Sequence, residues 1–117
     1  MRRIFKVFVL FIFISCKSND CSKLPDSFPS YQDGLNMVEN TKFDFTDQVD
    51  TSESSWVRGA SYYSCNGDTG FLILNTDSHV YIHQEVPKKL WEGFIKANSF
   101  GRFYNRNIKG RYQLQLD

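Results

Sequence analysis

Histidine is scarce in this chain, with two residues, His79 and His83, and cysteine is limited to three. That scarcity narrows the chemistry. A zinc site draws three or four N, S or O ligands from a compact set, and two histidines four residues apart do not supply it. On a strand rising about 3.3 Å per residue their α-carbons sit about 13 Å apart, too far to chelate one ion without a sharp bend. No metal or other cofactor is expected. No G-x-S-x-G elbow surrounds any serine, and no glycine-rich phosphate loop follows a strand pattern. The acidic residues stand singly along the chain, which leaves a glycosidase-type pair only if one is made in space. No catalytic residue is assigned, and the expectation is a protein that is not an enzyme. Internal repeats are absent as well, so solenoid architectures do not apply.

Long apolar runs are also missing. The longest, Val7 to Ile14, is too short for a bilayer span, which needs about 20 residues. Preceded by Arg2, Arg3 and Lys6, it reads as the core of a targeting segment, residues 1–15. No small-x-small cleavage site follows it. Instead Phe13-Ile14-Ser15-Cys16 resembles the lipobox of bacterial lipoproteins. That resemblance implies cleavage before Cys16, diacylation of its sulfur and a membrane attachment through lipid in the bacterial cell envelope. An uncleaved hydrophobic anchor is the alternative. Residues 16–24 then form a polar tether. With Cys16 lipidated in an oxidising compartment, Cys21 and Cys65 are expected to form a disulfide; two free thiols, or pairing with another chain, are the other readings.

At 117 residues there is room for one domain, and eleven Phe, six Tyr and two Trp make its core aromatic. The net charge of +1 hides an asymmetry. Residues 17–85 carry 4 basic against 11 acidic side chains, whereas residues 86–117 carry 7 basic against 2 acidic. Such a split fits an anionic partner for the C-terminal part, or two halves that complement each other.

Residues 25–53 read as an N-terminal extension. Ser30 with Asp33 three residues on marks a helix start, and Tyr31, Leu35 and Val38 share one face of a helix reaching Thr41. A short extended piece follows around Phe43 and Phe45, then a polar joint at Thr51–Ser55. Residues 54–117 read as the main domain. Trp56 to Ser64 is extended, with a bulge at Arg58-Gly59. Asn66 to Gly70 is a turn cluster. Phe71 to Leu74, apolar on both faces, is a central strand, and Tyr81 shares a strand face with both histidines. His83 is expected at a surface or groove. Pro87 suits the first position of a helix, with Leu90, Trp91, Phe94 and Ile95 apolar and Glu92 one turn before Lys96 as a weak ion pair. Gly93 marks the close passage of another element. Asn98, Ser99 and Gly101 are expected to end this helix and open a basic loop. Tyr112, Leu114 and Leu116 alternate with polar residues as a C-terminal strand. The fold class is α+β: a small antiparallel sheet, made of a meander of about three strands plus the C-terminal strand, packed by one main helix.

The segment Arg102 to Tyr112 interleaves cations with aromatic rings. Guanidinium groups pair with phosphate or carboxylate, and aromatic faces stack bases or sugars. The candidate binding residues are Tyr81, His83, Arg102, Tyr104, Arg106, Lys109 and Arg111. The plainer reading has Phe103, Ile108 and Tyr112 in the core, four cations on a solvated face and Asn105 tying down the loop backbone.

Over about residues 54–116 the chain resembles the KTSC domain, found at the C-terminus of some lysyl-tRNA synthetases. The matching residues are Tyr81-x-His83 before Val86-Pro87, Ala97-x-Ser99-x-Gly101, then Phe103-Tyr104-Asn105 with Ile108-Lys109, and Tyr112. His83 stands where the family has a second Tyr. The resemblance implies a binding module, with RNA binding as the activity proposed for the family. An exported lipoprotein meets little RNA, so the expected partner is a protein or glycan of the envelope. Nucleic acid or another anionic polymer, bound through residues 102–112, is the alternative.

Overall fold

The computed structural model describes residues 19–117. The signal segment 1–15 and the lipidation of Cys16 lie outside that span. Two residues, Asn19–Asp20 (β1), pair in parallel with Thr41–Lys42 (β2). Between them run a 3-10 turn at Cys21–Lys23 and a helix, Tyr31–Glu39 (α1). Phe45–Val49 (β3), Val57–Ser64 (β4), Thr69–Thr76 (β5) and Val80–Pro87 (β6) form an antiparallel sheet in that order. Lys88–Ile95 (α2) and Phe100–Asn107 (α3) follow. The fold is α+β.

Period-two alternation sends neighbouring strand residues to opposite faces, and here both faces are covered. Val57, Ala60, Tyr62, Leu72, Leu74 and Val86 pack on one side with Trp91 and Phe94 of α2 and Tyr104 and Ile108 after it. Ile73 and Ile82 pack on the other side with Phe28, Leu35, Val38, Phe43 and Leu114. The continuous apolar run Phe71–Leu74 follows from a strand buried on both faces. Residues 25–53 accordingly supply the second face's cover and the edge strand β3. They are integral to this sheet.

Trp91 anchors α2. It is fully buried, stacks on Tyr62 with ring centroids 5.5 Å apart, and its indole N–H donates to Asp47 Oδ2 at 2.8 Å. The Tyr62 hydroxyl in turn donates to the Val86 carbonyl at 2.7 Å. Burial, with Asp68, Glu85 and Glu92 adding negative charge nearby, pushes the Tyr62 phenol up to about 12. Ser30 caps α1 by accepting from the Asp33 N–H. The register slips at Val57/Gly59 in β4, so the predicted bulge is present. A second bulge lies in β6, where Gln84 and Glu85 face the single residue Phe71, and Glu85 has a positive φ of 59°. Cys21 and Cys65 form a disulfide, with α-carbons 5.8 Å apart.

Several expectations are corrected. The sheet's fourth strand is β3, not the C-terminal segment. Among the described residues, 112–117 form two isolated β-bridges, His83–Gln113 and Phe28–Leu116, and no ladder. A regular ladder fails because the Gln84 side chain takes the Gln115 N–H at 2.8 Å, and Leu114 turns into the second core. Helical cover on the first face comes from two helices, not one. Ser99 does not end α2 but begins α3, accepting from the Arg102 N–H at 3.2 Å. Gly101 is not a helix stop either; a Cβ there would overlap the Trp56 indole. Pro87 is the residue before α2, not its first. Glu92 and Lys96 form no ion pair, because Lys96 already lies at the end of the helix; among the described residues the ion pair is Arg58–Asp77. Gly93 does face a close neighbour, with Phe103 3.1 Å from where its Cβ would be.

Candidate functional site

The middle of β6 and the inner face of α3 meet in a buried polar cluster. His83 is 7% exposed and Tyr104 3% exposed. The His83 Nδ1 lies 3.1 Å from the Tyr112 carbonyl oxygen, which only accepts, so Nδ1 carries the proton. Nε2 then accepts from the Tyr104 hydroxyl at 2.7 Å. Both ring nitrogens are engaged, and the neutral tautomer is fixed. Burial holds the imidazole below its ordinary range and raises the Tyr104 phenol. Trp56 meets Tyr104 edge-on at 6.0 Å, and Tyr81 lies 6.3 Å from the same ring. His79 stacks on Tyr81 at 5.7 Å and bonds the Ser78 hydroxyl.

The expected binding set therefore divides. His83 is not at a surface, and Tyr104 offers no accessible face; both serve the interior. The reason is helical periodicity: once 100–107 is a helix, Tyr104 and Ile108 share its inner face with Gly101. Tyr81 is half-buried at the rim of this cluster. Arg102, Arg106, Lys109 and Arg111 are all exposed. Asn105 is exposed on α3 and its side chain makes no hydrogen bond to another described residue; the Asn107 side-chain amide instead ties down the backbone, donating to the Phe103 carbonyl at 3.1 Å.

Arg102 and Arg106 are the cations that share a cleft. One turn apart on α3, they line it with Asn98, Ser99, Phe103 and Asn107. No described carboxylate lies within ion-pair distance of either guanidinium. Asn98 and Asn107 carry no motif of their own in the sequence; the start and turn of α3 bring their side chains to the same cleft as the two arginines. Elsewhere Asp20, Cys21 and Cys65 converge, but both sulfurs are in the disulfide, so the group does not make a metal site.

A four-stranded antiparallel sheet with paired helices on one face and a lone helix on the other defines a small α+β module, with the four exposed cations Arg102, Arg106, Lys109 and Arg111 on α3 and the turn after it. Within it, residues 72–112 match the family model of the KTSC domain. The match runs from the middle of β5 through β6, α2 and α3 to Tyr112, so it contains the buried His83–Tyr104 pair and the arginine cleft. No curated protein and no solved structure matches the chain.

Proposed function

We propose that the protein is a non-enzymatic binding module of the bacterial envelope, held to a membrane by lipid on Cys16, whose KTSC domain docks a protein or glycan partner bearing anionic groups. One observation carries the reading: Arg102 and Arg106 stand exposed beside one cleft without a carboxylate partner among the described residues. Two guanidiniums in that setting favour a bound carboxylate, sulfate or phosphate. The non-enzymatic part is supported by His83, whose ring nitrogens are both engaged and so are not available as a general base.

Lipid attachment fits the short reach of the N-terminus. Two residues separate Cys16 from Asn19, where pairing with Thr41 begins, so an acyl anchor would hold Asn19 within about 11 Å of its attachment point. Among the described residues no helix is long and apolar enough to cross a membrane. Mass spectrometry of the native protein should find Cys16 as an acylated N-terminus; residues 1–15 still attached would overturn the anchoring.

Nucleic acid is the second reading, and the burial of Tyr104 weighs against it. Non-specific single-strand binders stack bases on exposed aromatic faces, whereas this basic segment turns Tyr104 into the core and leaves Phe103 and Tyr112 half-buried. Affinity purification of the full chain from envelope membranes tests the reading directly. An acidic protein or glycan should be retained by the wild type and lost with Arg102→Ala and Arg106→Ala together. Recovery of nucleic acid, or retention unaffected by the double variant, would overturn it.

A further inference from the structure

Resting on that reading, we infer that the cleft between the end of α2 and the start of α3 is a subsite for a single acidic sugar residue, an end group or side group carrying a carboxylate or a phosphate. Size is the first argument. The cleft is shallow and open to solvent, with about 170 Å³ of space against the side chains that line it, below the roughly 300 Å³ at which drug-sized ligand sites begin. That space suits one ring with its anionic substituent resting against the two arginines.

Its chemistry is the second argument. Arg102 and Arg106 sit four residues apart, about 6 Å along the helix axis, so one oxyanion can bridge both. Around them the remaining groups suit hydroxyls. Ser99 Oγ accepts from the Arg102 N–H, which leaves its own O–H free to donate. Asn107 donates one N–H to the Phe103 carbonyl, which leaves its Oδ1 open as an acceptor. The Asn98 side chain makes no hydrogen bond to another described residue, so both halves of its amide are available. Mixed donors and acceptors beside a cation pair match a ring bearing several hydroxyls and one charge.

Phe103 is the third. It is half-buried, held edge-on against Phe94 at 6.1 Å and pressed on Gly93. Part of its ring remains to meet the C–H face of a sugar, and the packing fixes its orientation. A base would need a broader open face. Lys109 and Arg111 lie beyond the cleft, so they add a general field without touching the ligand.

The test is a titration of the isotope-labelled full chain in detergent micelles, following backbone amides and arginine Nε–H signals. The probes are glucuronic acid, glucose 6-phosphate, glucose and inorganic phosphate. Both acidic sugars should shift Asn98 to Asn107 and the side chains of Arg102 and Arg106. Arg102→Ala should weaken the acidic sugars about tenfold to a hundredfold, the range for losing one charge-assisted hydrogen bond. Arg111→Ala, which removes only a charge outside the cleft, should weaken binding much less than Arg102→Ala does. The relative strength of the carboxylate and the phosphate sugar identifies which oxyanion the cleft prefers. Equal binding of glucose would overturn the role of charge, and equal binding of inorganic phosphate would overturn the role of the ring. If no monosaccharide shifts these signals while an anionic glycan polymer still binds, the subsite is refuted and the docking function stands. If neither binds, the subsite and the glycan form of the docking function both fall.

Discussion

Replacing His83 with Phe probes the buried pair that joins β6 to α3. The substitution keeps a planar ring of similar size and removes both hydrogen-bonding nitrogens. Two partners are affected, and unequally. The Tyr112 carbonyl retains the Gln84 N–H at 3.1 Å, so its loss is small. The Tyr104 hydroxyl loses its acceptor at 2.7 Å inside a site only 3% exposed. A buried hydroxyl without a partner costs about 1–3 kcal/mol, and that is the expected loss for His83→Phe in urea unfolding with the disulfide intact. Adding Tyr104→Phe removes the orphaned hydroxyl, and most of the loss should be recovered. The double-mutant cycle should give a coupling of about 0.5–3 kcal/mol. The wild type should also respond to pH. Burial lowers the imidazole's pKa in the folded state, so below about 6.5 the unfolded chain binds more protons than the folded one. This contribution to stability is complete above that pH and is lost as pH falls towards the depressed folded value. His83→Phe should flatten that part of the profile. A neutral single substitution, an unchanged pH profile or a purely additive cycle would each contradict the proposed network.

Trp91→Ala should cost about 3–5 kcal/mol, because the indole is fully buried against Tyr62 and bonded to Asp47; a loss below about 1 kcal/mol in the same unfolding assay would mean that α2 is not anchored there. Changing Cys21 and Cys65 together to Ser opens a loop spanning 44 residues. The chain-entropy relation puts the loss at about 4 kcal/mol, to be read as a drop in the urea midpoint; a midpoint unchanged from wild type would show that the bridge does not constrain the unfolded chain.

Local periodicity made much of this fold legible. Leu35 and Val38, the α2 face of Trp91 and Phe94, and the doubly apolar strand Phe71–Leu74 each declare their burial within a few residues. The pair of cysteines was legible for a different reason, since few other partners remained. Reading failed where a residue has two local meanings. Ser99 and Gly101 look like a helix stop, yet Ser99 caps the next helix and Gly101 makes room for Trp56, 45 positions earlier in the chain. From that one error came the loop in place of α3 and the misplaced Tyr104. The alternation Tyr112, Leu114, Leu116 looked like a strand because alternation records burial, not pairing; Leu114 is buried under α1 without a ladder. His83 was misjudged because its partner is 21 residues away, beyond any local pattern. The four cations were visible as a cluster, but only the helix sorts Arg102 and Arg106 from Lys109 and Arg111.

The central claim is that the α3 arginines dock an anionic partner. Equilibrium binding of the full chain to an anionic glycan polymer, compared at about 50 and 200 mM salt, tests it most directly. Two guanidinium contacts release about two counterions, which gives roughly a tenfold loss of affinity over that range. Arg102→Ala with Arg106→Ala should bind weakly at both salt concentrations and lose most of the salt dependence, while folding as the wild type does. Affinity indifferent to salt, or equal in the wild type and the double variant, would contradict the account.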